Sequence, residues 1–205
     1  RMEGDDVNDT MTIRQDGNGQ LAAMTVGYRR RTTFFRDDHW HHVVLTWDGT
    51  TICQYVDGEL DSSVATPAGT LQNVQPTLIG NGLGWNKIMH NWNGLIDDVR
   101  VYGQALSAAE IAGMFQEGRG SHSDAAVQVE RAAPKVVFWN ALDSEEAIRT
   151  GKVGAGGDIV GLSAVHFPEG KVGHGVSLPE GSGIHFAPEA IRAWDVAGSY
   201  ELWFK

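Results

Sequence analysis

Four groups of side chains could do chemistry by type and spacing. His39, His41 and His42 surround Trp40, and the first two fall on one face of a strand, which invites a zinc site. Zinc needs further ligands, and the lone Cys53 sits in the middle of another strand. Trp85, Asn86, His90 and Asn91 lie in a long Gly-, Asn- and Trp-rich loop, residues 81–93. An indole face stacks on the apolar face of a sugar ring while amides bond its hydroxyls, so these four form a candidate glycan site, with Trp85 as the platform. Tyr28-Arg29-Arg30-Arg31 with Arg36 could grip a sulfated or acidic glycan. Asp37 and Asp38 follow at once and offset that field, so a solvated hairpin is the expectation. Asp97 and Asp98 are adjacent on a strand and point to opposite faces, so only one can join a given site. No Gly-x-Ser-x-Gly, Walker loop or Cys–His pair supplies a nucleophile.

These groups must be held by a framework, and period-two alternation defines it. Val43, Leu45 and Trp47 alternate with Val44 and Thr46. After Asp48-Gly49, Ile52, Gln54 and Val56 alternate with Cys53 and Tyr55 up to Asp57-Gly58. Asp-Gly supplies the positive-φ positions of tight turns, so this is a β-hairpin. Residues 10–16 and 21–29 read as strands joined by Asp16-Gly17-Asn18-Gly19, and residues 71–80 and 95–102 as further strands. Ser107 and Glu110 form a capping box that opens one helix, which Gly118 is expected to stop. Residues 119–134 show no hydrophobic period and read as a linker. Strands resume at 136–139, 164–167, 175–178, 183–186 and 200–204.

The chain has 205 residues, enough for one all-β sandwich, and its formal charge of −10 repels phosphate backbones. Nucleic acid is therefore not an expected partner, whereas cations, calcium above all, are. Cys53 is expected as a small core residue, and no apolar run is long enough to span a bilayer. Residue 1 is not Met, residues 1–6 carry no secretory core, and residues 203–205 end inside a strand, so the sequence reads as part of something longer.

Residues 40–58, WHHVVLTWDGTTICQYVDG, together with Ile79-Gly80, Trp92-Asn93-Gly94-Leu95-Ile96-Asp97-Asp98-Val99-Arg100-Val101-Tyr102 and Leu106-Ser107-Ala108-Ala109-Glu110-Ile111, resemble the closing half of laminin-G-like, concanavalin-A-like jelly rolls. Residues 135–205 resemble the opening half, through the strand ending near Asp143, through Gly173, Gly175 and Leu178, and through Ser199-Tyr200-Glu201-Leu202-Trp203-Phe204-Lys205. The halves stand in inverted order: 1–118 closing, 119–134 linker, 135–205 opening. They form either one permuted domain or parts of successive repeats in a tandem array, and the array is the preferred reading. An open half-sandwich exposes apolar strand edges, so each half should find a partner, in cis or from a neighbouring copy.

The resemblance implies an all-β jelly roll of two antiparallel sheets with one short peripheral helix. It implies a structural calcium at Asp97, with Asp143 as a second ligand; the plain alternative is that Asp97 caps a turn and Asp98 is solvated. It gives the histidines a packing role beside Trp40 and places Trp92 in the core. Glycosidases of this fold set an acid and a base or nucleophile on one strand face as E-x-D-x-(x)-E. Glu59-Leu60-Asp61 is the nearest approach, but Ser62, Ser63 and Val64 follow, and Glu59 should lie in a loop after Asp57-Gly58. No catalysis is therefore expected. The function implied is an extracellular or cell-surface module that binds glycan or protein, with calcium as its cofactor. Alternatives are a structural repeat of a surface fibre or adhesin, and an accessory carbohydrate-binding domain of a larger glycan-degrading enzyme.

Overall fold

The computed structural model describes residues 12–15, 20–25, 28–34, 39–65, 77–80, 82–84, 87–89, 92, 94–119, 136–160, 165–179, 182–187 and 198–205. The elements are β1 (Thr12–Gln15), β2 (Gln20–Thr25), β3 (Tyr28–Phe34), β4 (His41–Trp47), β5 (Thr51–Val56), β6 (Glu59–Ala65), β7 (Thr77–Ile79), β8 (Gly82–Gly84) and β9 (Lys87–Met89). They continue with β10 (Leu95–Tyr102), α1 (Ala108–Arg119), β11 (Val136–Asn140), α2 (Glu145–Thr150), β12 (Asp158–Val160), β13 (Val176–Ser177), β14 (Gly183–Phe186) and β15 (Gly198–Phe204).

The two Asp-Gly turns form the β4–β5–β6 meander by different means. Asp48 Oδ1 accepts from the amides of Thr50 and Thr51 at 2.8 and 2.7 Å. Asp57 and Gly58 both take positive φ, 51° and 84°, the requirement of a two-residue primed turn. The meander continues on the far side of β4: the large sheet runs β11-β10-β15-β4-β5-β6, with β13 also on β10. β15 is thus a central strand, bonded to β4 from Gly198↔Trp47 to Phe204↔His41 and to β10 from Ile96↔Phe204 to Tyr102↔Ser199. Strands distant in sequence alternate across this sheet. β4, covered on both faces, is buried at all seven positions, which is why its sequence reads as a nearly continuous apolar run.

A smaller sheet, β12-β14-β7, packs against the large one, making the jelly-roll sandwich. Leu45, Trp47, Val99, Val101 and Phe138 of the large sheet meet Ile79, Ile184 and Phe186 of the small one in a single core. Phe138 and Phe186 touch edge to face across it, centroids 4.9 Å apart. On the outer face α1 lays Ile111 over Val44, Tyr55 and Tyr102, with Cys53 half-buried at the margin of that cluster. β1, β2 and β3 form a separate antiparallel sheet.

Five expectations need correction. Residues 21–29 are two strands rather than one, since Thr25 pairs with Tyr28 and the chain reverses between them. Glu59 opens β6 instead of lying in a loop; its sequence, ELDSSVA, is polar because β6 closes one end of the large sheet and has no fully buried position. Of residues 164–167, those described carry a single bridge, His166 to Ser177, so no strand forms there. A second helix, α2, accompanies α1. Ser144 caps it by accepting from the Ala147 amide, Glu145 and Glu146 occupy its first turn, and Gly151 ends it at φ 66°.

The fifth correction concerns α1. The capping box forms as expected, with the Ser107 amide donating to Glu110 Oε2 at 2.7 Å and the Glu110 amide to Ser107 Oγ at 3.3 Å. Gly118 does not stop the helix, however, which runs on to Arg119. Its place is set by packing: a Cβ there would lie 2.2 Å from Trp203 Cζ2, whereas one at Gly113 would meet nothing within 4 Å. Gly113→Ala should therefore stabilise the chain by about 0.5–1 kcal/mol through helix propensity. Gly118→Ala should cost about 1–3 kcal/mol through overpacking against a buried ring. Urea midpoints of the two variants check this; shifts of the same sign would contradict it.

Candidate metal centre

Asp97 and Asp98 part company at a bulge. Asp98 takes φ 52°, and the register of β10 against β15 shifts between Asp97 and Arg100. The Asp97 carboxylate turns toward residues 170–174, where Oδ2 accepts from the amides of Lys171 at 2.8 Å and Val172 at 2.9 Å. Asp97 is fully buried, and its Oδ1 has no hydrogen-bond partner. Asp143 reaches the same turn, its Oδ1 accepting from the His174 amide at 3.0 Å. The corner that carries Asp143 is rigid: Asn140 Oδ1 accepts from the Leu142 amide, and Asn140 Nδ2 donates to the Ile148 carbonyl of α2.

Glycines let the turn close around the two carboxylates. The Gly170 amide donates to the Gly173 carbonyl at 3.0 Å, and the Gly175 amide to that of Pro168 at 3.1 Å. A Cβ on Gly170 would sit 2.6 Å from Asp97 Oδ2, and one on Gly173, at φ 71°, 2.7 Å from Asp143 Oδ1. Side chains at either position would displace the carboxylates. The sequence pattern picked out Gly173 and Gly175 and missed Gly170, because nothing local says which glycine will face a residue more than 70 positions earlier.

Burial pushes the Asp97 carboxyl up to about 7, and the charges of Asp98 and Asp143 add to the rise, against the two amide bonds that lower it. The folded state then holds a proton that the unfolded state releases near pH 4, so this group makes metal-free stability fall as pH rises from about 4 to about 7. Asp97→Asn should remove that part of the slope. Urea denaturation of both proteins between pH 4 and 8 measures it, and identical slopes would contradict the assignment.

The donor set suits calcium. Its side-chain donors are oxygens, a buried carboxylate oxygen lacks a partner, and calcium accepts carboxylates mixed with backbone carbonyls and water. Zinc does not fit. Among the described residues no group of three or more His, Cys, Asp or Glu is placed to hold a metal, so Asp97 and Asp143 stand only as a pair, and calcium there would need its remaining oxygens from carbonyls and water. His41 Nδ1 meets Asp57 at 2.9 Å, His42 Nε2 meets Glu201 at 3.0 Å, and His39 is exposed, so the histidines serve separate contacts.

Asp98 belongs to a second cluster, which the sequence reading did not find. It is buried, which corrects the alternative of a solvated side chain, and its Oδ1 accepts from Trp139 Nε1 while Oδ2 pairs with Arg100, both at 2.5 Å. Arg100 also donates to both oxygens of the buried Glu201, at 3.2 and 3.3 Å, and Tyr102 donates its hydroxyl to Glu201 Oε2. Arg100 lies over the Trp139 ring at 4.7 Å. Burial would raise the Glu201 carboxyl, but the His42 bond and the Arg100 charge outweigh it and hold it below the usual range. The signal available was an ionisable residue in each of two apolar strands, Glu201 and Arg100, on matching faces.

The glycan candidates Trp85, Asn86, His90 and Asn91 lie outside the described residues, as do the side chains of the 28–31 cluster and all of Arg36. Around them, β8 pairs with β9 from Gly82↔Met89 to Gly84↔Lys87, which corrects the expectation of a loop across 81–93: two short strands stand within it. Trp92 is half-buried in the core, its ring 5.0 Å from that of Phe204. Glu59 is exposed and Asp61 accepts from Gln54 Nε2 at 2.8 Å, beside an open depression of about 420 Å³ that Val56, Asp57 and Leu60 also line. No helix among the described residues is long and apolar enough to cross a membrane.

A family model, Laminin_G_3, described as the concanavalin A-like lectin/glucanases superfamily, matches residues 3–112. No curated protein and no solved structure matches the chain. The matched span holds β1 to β10 and the first turn of α1, and stops before β11.

Proposed function

The chain belongs to the concanavalin A-like lectin/glucanase superfamily, and from that premise we propose that it is a non-catalytic extracellular or cell-surface module that binds glycan or protein on a calcium-stiffened sandwich. The observation that carries the calcium part is the buried, unpartnered Oδ1 of Asp97 at the turn that Asp143 also bonds. Bound there, calcium would neutralise two carboxylates that otherwise repel each other at the sandwich edge. Asp97 and Asp143, each held by amides of one turn, would supply the two carboxylates that hold the ion.

Binding is assigned to residues 81–93, with Trp85 as stacking platform and Asn86, His90 and Asn91 as hydrogen-bonding partners. Connections on a rigid sandwich are where such sites sit, and this one is built on the β8–β9 pair. The absence of catalysis is supported by Asp61, whose carboxylate is engaged by Gln54, and by the serines that follow it where a third carboxylate would be needed.

A glycan array probed with the chain tests the reading. Trp85→Ala should weaken binding by about 1–3 kcal/mol, the scale of a stacked ring, with little loss of stability. Trp92→Ala should cost about 3–5 kcal/mol of stability, as a large core truncation does. Equal losses of binding and stability in both variants would place Trp85 in the core. An array without hits would favour a structural repeat of a fibre or adhesin, and sugar release from β-glucan an enzyme.

A further inference from the structure

β15 is the strand on which the two parts of the chain meet. It lies between β4 and β10, and its partners are distant in sequence: His42 is 159 positions from Glu201, and Arg100 is 101. β11, β13 and β14 likewise pair with β10 or β7, so among the strands described for residues 136–205 only β12 pairs solely within that part. The face that β15 turns toward α1 is read side chain by side chain. Ser199 Oγ accepts from the Leu106 amide at 2.8 Å and donates to the Gln104 carbonyl at 2.9 Å. Glu201 is held by Arg100, Tyr102 and His42. Trp203 stacks on Phe115 and lies against His42, in a slot that Gly118 leaves open. All these partners come from residues 42–118, which therefore form an acceptor for an extended segment of the pattern Ser-x-Glu-x-Trp.

We propose that this acceptor, between β4 and β10, also takes β15 of a second copy of the chain, so that two copies exchange residues 136–205. Each copy carries both the acceptor and the segment it reads, so exchange makes the contacts of the closed chain and needs none that is new. The Glu201 carboxylate selects the strand: a segment lacking it would leave His42 and Tyr102 each without that bond inside the protein. Until β15 arrives, β4 and β10 each present an open edge. Pairing over such sequence separations is slow, which gives a neighbouring copy time to insert its own strand. Concentration decides the competition. A segment tied by a connection as short as residues 120–135 counts as about millimolar, and a neighbour held equally close competes on equal terms.

Holding the intact chain near its urea midpoint and then returning it to buffer reads this directly. At about 1 mM chain, dimer and monomer should emerge in comparable amounts; at about 1 µM the ratio of dimer to monomer should be about a thousandfold lower. Exchanged copies separate only when β15 leaves the sheet, so the isolated dimer should survive dilution in buffer and revert in urea. A dimer that falls apart on simple dilution is a side-by-side contact, and that result, or a monomer at every concentration, overturns the proposal. Arg100→Glu and Glu201→Arg test what the acceptor reads. Refolded separately, each variant sets like charges together in the cluster and should leave most chains unfolded. Refolded together, the intact Glu201 of one variant meets the intact Arg100 of the other, and folded material should rise about tenfold, as heterodimer. A mixture no better folded than its two components overturns exchange through this strand.

Discussion

Saturating calcium should raise the thermal midpoint of this chain by about 5–11 °C. An ion present at one hundred times its Kd that binds only the folded state adds about 2.7 kcal/mol, and a chain of this size gains about 2–4 °C per kcal/mol. Asp97→Asn should erase the response. The same variant without metal should be more stable than the metal-free parent at pH 7, because the parent carries a carboxyl whose burial holds it up to about 7. Melting curves of both proteins, with calcium and with chelator, give all four values. An unchanged midpoint for the parent would remove calcium from the account.

Glu201→Ala should cost about 3–5 kcal/mol, a large share of the 5–15 kcal/mol that a folded domain commands. The loss comes from what stays behind: Arg100 with one carboxylate instead of two, and His42 and Tyr102 with a bond each removed inside the protein. Removing the charge on both sides tests this. Arg100→Met combined with Glu201→Leu should recover part of the loss, since it leaves no uncompensated ion on the outer face of the sheet. Urea midpoints of the single and double variants decide it, and strictly additive losses would show that the pair is not coupled. Because the folded Glu201 carboxyl is held below its unfolded value, its contribution is present above about pH 4 and disappears as pH falls through the lowered value.

Much of the fold was legible because strand alternation and turn chemistry are local. His41–Trp47, Thr51–Val56 and Leu95–Tyr102 appear where the period-two pattern put them, and Ser107 and Glu110 form the box their spacing announced. Polar β6 escaped notice because none of its positions is fully buried and pattern reading depends on burial. Helix α2 escaped although Ser144, two glutamates and Gly151 marked it, being too short for a hydrophobic period to show. At the site, Asp97 and Asp143 were identified through the family resemblance and are brought to one turn, but the turn itself was not foreseen. Its fit depends on Gly170 and on the bulge at Asp98, and both are products of pairing across the whole chain. The buried cluster around Glu201 was missed for the same reason, since a charge inside an apolar strand marks Arg100 and Glu201 singly and only the placing of β15 between β10 and β4 brings them together.

The most direct measurement is an anomalous difference map from a crystal of the chain grown in calcium and recorded at long wavelength. A peak is expected at about 2.3–2.6 Å from Asp97 Oδ1 and from a carboxylate oxygen of Asp143, the coordination distance of calcium. A map with no peak beside Asp97, while calcium at the same concentration occupies other carboxylates on the surface, would contradict the assignment of this turn as a metal centre.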